Sequence, residues 1–341
     1  MRHFIKQPLF IIGLSFFVIL LISSFYVEFA FDGEFRQIRI LYDDKGNVID
    51  SAPIAPQWWL PLGTDVLGVD LLLKTIDGAK YTIITAFIIA LLRIVFSLTI
   101  GVSIGVYFHR FQKYLNAFSE SFHYIPLTLL AVYVLEPILW EQFPGMFYYT
   151  YSERLILQIL LLTLLTLPML SSLISNEVEL ILQRDFIQSS TILGASRHFL
   201  IRKHILPHLK ERVVILFGQQ MIQVLIILAH LGIFKLFLGG THVTYDRFVN
   251  DPPSSITNEW SGLIGDGFYS FVSAPWVFLA PIGFFTLSII MINFMMESYK
   301  QVTSYQVTVK KKKKKKKGKQ IEVETPTKTI SKELFVRLHL R

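Results

Sequence analysis

Apolar and polar residues follow one another along this chain in long blocks, a pattern that predicts membrane-crossing helices separated by polar connections. The first block, residues 8–27, contains twenty residues and no charged side chain. A helix of that length can cross the hydrocarbon core of a bilayer. Five similar blocks follow, and the predicted spans are residues 8–27, 82–108, 124–140, 155–175, 213–238 and 276–296.

The composition favours the same class of protein. Hydrophobic residues make up 52% of the 341 residues, too many for an ordinary soluble chain, so we expect an all-α polytopic membrane protein with six transmembrane helices. The first span could instead be a cleaved secretory signal. It is long and lacks a small-residue cleavage site at its end, which favours a retained helix.

The placement of Lys and Arg predicts the orientation, because cytoplasmic loops of membrane proteins are enriched in these residues. With the N-terminus inside, the inner segments carry 24 of the 33 Lys and Arg, and the outer segments carry 7. Both termini are therefore expected in the cytoplasm. The net charge of +8 does not indicate a nucleic-acid partner, because nine lysines at 310–317 and 319 account for the whole excess.

Two local patterns predict a short hairpin and a close contact between two helices. Residues 35–42 alternate apolar and polar side chains, 43–46 contain turn residues and 47–49 can return as a strand, which predicts a small external hairpin. In the second span, Gly101 and Gly105 are four apart and allow two helices to approach closely. Internal packing and a subunit interface explain this pair equally well.

A charged block at residues 177–210 separates the fourth and fifth predicted spans and lies on the predicted cytoplasmic side. Within it, residues 185–193 can form a short helix, which Gly194 can end in the left-handed conformation. Pro207 predicts a break before the fifth span. The block is either a docking element for another protein or an amphipathic connector at the membrane surface.

This block resembles the ATPase-docking loop of bacterial ABC importer permeases, whose pattern is Glu-Ala-Ala, three residues, Gly, nine residues and Ile-x-Leu-Pro. Here Gln-Ser-Ser begins at Gln188, Gly194 follows after three residues, and His-Ile-Leu-Pro begins at His204. The ending is similar to that of the oligopeptide, dipeptide and nickel branch. The departure lies at the start, where Gln and two Ser replace Glu and two Ala.

Two further stretches carry the same resemblance, which covers roughly residues 60–300. Gly-Thr-Asp-Val-Leu-Gly-Val-Asp at 63–70 is similar to the Gly-Thr-Asp-x-x-Gly-Arg-Asp stretch of C-type permease subunits, with Val69 in the Arg position. Pro252-Pro253 and the Glu-Trp-Ser-Gly beginning at Glu259 are similar to the Pro-rich loop before the last span of that family.

The resemblance implies a type I ABC importer permease fold in a bacterial cytoplasmic membrane. The sequence divides into an N-terminal helix and external loop (1–81), a permease core (82–300) and a basic cytoplasmic tail (301–341). The tail is expected to be disordered, because consecutive lysines repel one another and cannot pack. The implied partners are a second permease subunit, two ATPase subunits, an external substrate-binding protein and the lipid bilayer. The implied ATPase-docking residues are Asp185, Phe186, Gln188, Ser189, Ser190, Leu193, Gly194, Ala195, Ser196, His204, Leu206 and Pro207.

The implied function is ATP-driven uptake of oligopeptides or dipeptides by alternating access. Nickel or another small solute is the alternative cargo, and an ion-gradient-driven secondary transporter is the alternative of another class. The sequence contains no Gly-x-x-x-x-Gly-Lys-Ser/Thr loop and no hydrolase motif, so we expect a non-enzyme without a cofactor whose partners hydrolyse ATP.

Polar residues inside the predicted spans are candidates for the transport pathway. Arg93 and Glu136 could pair across the second and third spans, or Glu136 could lie near the outer interface while Arg93 packs against protein. Gln219, Gln223 and His230 fall near one face of the fifth span. The resemblance to ABC importer permeases implies that this span helps to line the transport pathway. Hydrogen bonding between helices is the alternative explanation.

No metal site is expected. The chain has no cysteine. His204 and His208 are four apart, but Ile-Leu-Pro lies between them instead of a Glu-containing zinc motif.

Overall fold

The computed structural model describes residues 7–322 apart from 32–34, 44, 144–145 and 244–252, with the backbone alone at residue 123 and at 304–322. This part of the chain is mostly helical. The helices are α1 (Pro8–Phe31), α2 (Leu71–Tyr107), α3 (His109–Ser121), α4 (Leu127–Leu139), α5 (Tyr151–Leu164), α6 (Leu167–Leu182), α7 (Asp185–Ile192), α8 (Arg197–Leu200), α9 (Leu206–Ile233), α10 (Trp260–Phe268) and α11 (Pro275–Glu322). The strands are β1 (Ile40–Tyr42), β2 (Val48–Ser51), β3 (Thr241–His242) and β4 (Ser254–Ser255).

Four apolar helical stretches are long enough to cross a membrane: α1, α2, the continuous helix Arg197–Ile233 and the Pro275–Thr303 part of α11. The pair α5 and α6 adds a fifth if the two bent helices count as one span. The third predicted span, 124–140, contains only the 13-residue α4, about 20 Å long, against a hydrocarbon core of about 30 Å. The described residues therefore give four or five long spans where the sequence predicted six.

The fourth predicted span, 155–175, is two helices that meet at 42°. A capping box between Thr150 and Glu153 starts α5, and Pro168 lies in the first turn of α6. Proline lacks the N–H that would continue the ladder of α5. At the break, the N–H of Thr166 donates to the Thr163 carbonyl at 3.3 Å, in place of the Leu162 carbonyl that a regular helix would use.

Pro207 does not produce the predicted break. The helix runs through it, because residues Ile201–Ile205 widen into a π turn immediately before α9. A wider turn at this point accommodates the missing proline N–H without ending the helix. The last part of the charged block, from Arg197 onward, therefore forms one continuous helix with the fifth span.

The C-terminal tail also differs from its prediction. The backbone of α11 stays helical to Glu322, whereas disorder was predicted from residue 301. Lysine is a good helix former, so a run of lysines can extend an existing helix. The remainder of the predicted tail, 323–341, lies outside the described residues.

A hairpin forms where the sequence predicts one, although it is shorter. β1 pairs with β2 in antiparallel register, Leu41 opposite Asp50, with an irregularity between Leu41 and Tyr42. The segment 35–39 precedes this pairing rather than belonging to β1.

The main core lies between α2, α9, α10 and α11 and includes the fully buried Trp260. The two glycines of the second span pack α2 against α6. A Cβ at Gly101 would lie 2.8 Å from Ile174, and one at Gly105 would lie 2.8 Å from Val178. Of the two explanations for this pair, the structure shows internal packing.

Candidate functional site

The short helix α7 follows the end of α6, and one of its side chains, Ile187, is fully buried. Ile187 is 1% exposed and packs into a cluster with Ile181, Leu200, Ile205 and Leu209. This cluster joins α6 and the start of α9 to the underside of α7. Burial of Ile187 therefore determines which face of α7 packs against the bundle.

The end of α7 has the geometry that the sequence predicts. Gly194 has φ +85°, a conformation that favours glycine. Its N–H donates to the Thr191 carbonyl at 3.0 Å, and the Ala195 N–H donates to the Ser190 carbonyl at 3.1 Å. These bonds satisfy carbonyls that the end of the helix would otherwise leave unpaired.

The outward surface of α7 combines small hydroxyl residues with two large apolar ones. Ser189 and Ser190 donate their hydroxyls to the carbonyls of Asp185 and Phe186 at 2.9 and 2.8 Å. Ile192 is 85% exposed and Leu193 is 87% exposed. We call these two residues the apolar tip; the sequence predicts a role for Leu193 and gives no signal for Ile192. Two largely exposed aliphatic side chains therefore lie next to each other at the end of α7.

Aromatic contacts brace α7 against α9. The Phe186 ring stacks on His208 with centroids 5.3 Å apart and lies 5.8 Å from His204. His208 donates Nδ1–H to the His204 carbonyl at 2.6 Å, and Phe199 packs edge-on against His204. His204 and His208 therefore have a packing role in this block. No group of three or more His, Asp or Glu suited to a metal occurs among the described residues.

The twelve residues selected from the sequence lie together in this region. Most are exposed, whereas Ser190, Ala195 and His204 are half-buried. An ion pair between Glu177 of α6 and Arg212 of α9, at 3.3 Å, ties together the two helices that support α7.

A cavity of about 540 Å³ opens between α3, α6 and α9. Its polar lining consists of amides, hydroxyls and two carboxylates: Asn116, Ser119, Glu120, Thr166, Ser172, Asn176, Glu177, Gln219, Gln220 and Gln223. Of the three α9 residues selected from the sequence, Gln219 and Gln223 line this cavity. His230 lies two turns further along α9, exposed, and is not part of the lining.

Arg93 and Glu136 do not pair. Arg93 is 1% exposed and donates hydrogen bonds to the Leu162 carbonyl, Gln220 and Gln223. Glu136 lies on an exposed part of α4. Of the two explanations that the sequence left open, the structure favours packing against protein for Arg93.

A second polar centre lies at the opposite end of the bundle, just before α10. The Glu259 carboxyl group accepts hydrogen bonds from the Leu238 N–H at 2.8 Å and from the hydroxyls of Ser261, Ser255 and Thr257. Its neighbour Trp260 donates Nε1–H to the Thr75 carbonyl at 2.7 Å. Burial raises the pKa of Glu259 to about 8. Glu259 thus joins the loop after α9 to the start of α10.

Comparison with known proteins relates this chain to membrane transport proteins. A protein family described as "Binding-protein-dependent transport system inner membrane component" matches residues 97–301. The chain is 26% identical to the peptide transport system permease protein SapC of Haemophilus influenzae, over 82% of this chain and 89% of that protein. It is 23% identical to the oligopeptide transport system permease protein OppC of Mycobacterium bovis, over 86% of this chain and 88% of that protein.

Proposed function

The chain belongs to the family of binding-protein-dependent transport system inner membrane components, and on that premise we propose that it is the transmembrane permease subunit of a peptide-importing ABC transporter. The observation that carries the proposal is α7 with its apolar tip, held rigidly between α6 and α9 beside a polar cavity. The names of its relatives, which are peptide and oligopeptide permeases, support peptides as the cargo.

The proposed mechanism is alternating access driven from α7. ATPase subunits would bind the apolar tip and the small-residue face around Ser189 and Gly194. Because α7 is anchored on α6 and the helix Arg197–Ile233 is continuous, displacement of α7 would be transmitted to both walls of the cavity. The cavity would then open to one side of the membrane or the other.

The proposed assembly contains a second permease subunit, which pairs as a heterodimer, two ATPase subunits that hydrolyse the ATP, and an external substrate-binding protein. Both termini and α7 would lie in the cytoplasm. We also propose that α4 makes a sixth, short crossing, since Tyr124 and Trp140 flank it as interfacial aromatic residues do. A nucleic acid has no place in this assembly.

A secondary transporter is less well supported, because transport on an ion gradient gives no role to an exposed apolar tip on a rigid support. Peptides are proposed over nickel because the cavity presents amides and hydroxyls and only two carboxylates, with no histidine or cysteine among its lining residues. Neutral amides and hydroxyls are poor ligands for Ni²⁺, which imidazole suits better.

The test is reconstitution. Co-expressed with candidate permease and ATPase subunits from the same cell, the chain should purify as one complex. In proteoliposomes with the binding protein, this complex should take up labelled tripeptide only when ATP is present. Transport by the chain alone on a proton or sodium gradient would overturn the proposal.

A further inference from the structure

Arg93 of α2 lies behind the wall of the cavity and contacts two other helices, α5 and α9. Its Nε and Nη2 donate to the Leu162 carbonyl of α5 at 3.0 and 2.6 Å. Its Nη1 donates to the Oε1 atoms of Gln220 and Gln223 on α9 at 3.2 and 3.3 Å. The Leu162 carbonyl is available because the break between α5 and α6 redirects the Thr166 N–H to Thr163.

This contact fixes the orientation of both glutamine amides. A guanidinium has five N–H donors and no acceptor. It can therefore donate a hydrogen bond to the oxygen of a glutamine amide but cannot accept one from its NH₂ group. Gln220 and Gln223 must therefore turn their Oε1 atoms towards Arg93. Their NH₂ groups, each with two donors, point elsewhere, and both residues line the cavity. The nearby positive charge polarises the amides and strengthens them as donors.

The rest of the cavity narrows the choice of ligand. Its other polar walls are neutral amides and hydroxyls together with the carboxylates of Glu120 and Glu177. Two carboxylates in one cavity disfavour an anionic ligand. A donor site in such a cavity suits a neutral acceptor, and the neutral acceptor that every peptide repeats is its main-chain carbonyl oxygen.

We propose that Gln220 and Gln223, oriented by Arg93, form a donor site in the cavity wall that binds main-chain carbonyl oxygens of a transported peptide. The inference rests on the proposed function and assigns its recognition chemistry to named atoms. Arg93 is a positioning residue in this site, because it acts through the two glutamines. Recognition of the main chain would let the cavity accept peptides with different side chains.

The test measures peptide binding to the purified permease–ATPase complex without its binding protein, by saturation-transfer NMR. The probes are trialanine and its two analogues in which one peptide carbonyl is a thioamide, a weaker acceptor of the same charge. We expect one analogue to bind the unmodified complex more weakly than trialanine. Equal binding of all three would overturn the inference.

The decisive variant is Gln223→Met, with Gln219→Met as its matched control. Gln219 lines the same cavity on the same helix, and among the described residues Arg93 makes no hydrogen bond to it. Gln223→Met should raise the Kd for trialanine about three- to tenfold and remove the preference over the thioamide. Gln219→Met should keep that preference. Equal effects of the two variants would contradict the donor site.

Arg93→Lys gives a second readout, because lysine keeps a charge but cannot donate to Leu162 and both glutamines in the same planar fork. It should weaken the preference without removing peptide uptake. If Arg93→Lys fails to assemble with the ATPases, the comparison of Gln223→Met with Gln219→Met still tests the donor site. ATP-driven tripeptide uptake by the unmodified complex separates the two proposals. If uptake is present and Gln223→Met binds normally, only this inference fails; if no peptide is taken up, the proposed function fails.

Discussion

The Nζ of Lys74 lies 2.8 Å from Oδ2 of Asp65, across the turn that leads into α2. The other carboxylate oxygen, Oδ1, accepts the N–H groups of Leu67 and Val69 at 2.9 Å each. The turn therefore obtains its cation from the first turn of α2, although Val69 stands where C-type permeases carry an arginine.

Lys74→Met should destabilise the complex, because it leaves the largely buried Asp65 carboxylate without its cation. The free energy of unfolding should fall by about 2 kcal/mol, less than for breaking a fully buried ion pair. The measurement is the apparent melting temperature in detergent, which should be lower. Adding Asp65→Asn should recover most of the loss, since asparagine keeps an acceptor oxygen for the turn. An unchanged melting temperature for Lys74→Met would mean that the pair contributes nothing.

Gly194→Arg should abolish ATP-driven uptake and weaken ATPase retention while leaving expression and permease pairing intact. A side chain at this position costs about 1 kcal/mol of backbone strain. It also adds bulk to the small-residue face around Ser189 and Gly194, where the ATPase is proposed to bind. Gly194→Ala separates these effects, since a Cβ meets no atom within 4 Å and only the strain remains. Ser190→Arg should resemble Gly194→Arg, and Arg184→Ala should be milder. Normal uptake by Gly194→Arg with its ATPases bound would refute the docking assignment.

The apolar tip gives a complementary prediction. Replacing Ile192 and Leu193 together by serine should reduce the ATPase that co-purifies at least tenfold, with little change in the melting temperature, because both side chains are exposed in the isolated chain. Ile187→Ala is the matched control. It should destabilise the chain by about 2–5 kcal/mol, because Ile187 is buried beneath the same helix. Full ATPase retention by the double serine variant would exclude the tip from the interface.

Glu259 predicts a pH dependence of stability. Burial raises its pKa in the folded protein to about 8, above the value of about 4.5 for an exposed glutamate. The stabilisation from this group is therefore complete below about pH 4.5 and is lost as the pH rises through about 8. The melting temperature should fall more between pH 5 and 8 in the unmodified protein than in Glu259→Gln. Parallel curves would show that Glu259 does not titrate in this range.

The lysine run should not be needed for transport. A chain ending at Tyr305 should retain uptake, whereas a peptide of residues 306–341 should bind vesicles of anionic lipid and release them as salt rises. Each lysine near such a surface contributes about 1 kcal/mol at most, and salt screens this attraction. Vesicles of neutral lipid are the control. Complete loss of uptake in a well-assembled truncated complex would assign the tail an essential role.

The sequence alone determined the class of protein and the position of α7. Several long apolar blocks in one chain are incompatible with a soluble protein. The left-handed conformation of Gly194 follows from local chemistry at the end of a helix. Both depend on residues close together in the chain. The resemblance to ABC importer permeases likewise depended on local patterns, and the family match over 97–301 agrees with it.

The tertiary structure decided what depends on distant contacts. Hydropathy could not distinguish the short α4 from a full span, nor show that α5 and α6 bend. The partners of Arg93 lie 69 to 130 residues away in the chain, so no sequence period could identify them. The exposure of Ile192 could not be predicted either. It depends on which face of α7 packs against the bundle. The burial of Ile187 marks that face, and only tertiary packing decides which face is buried.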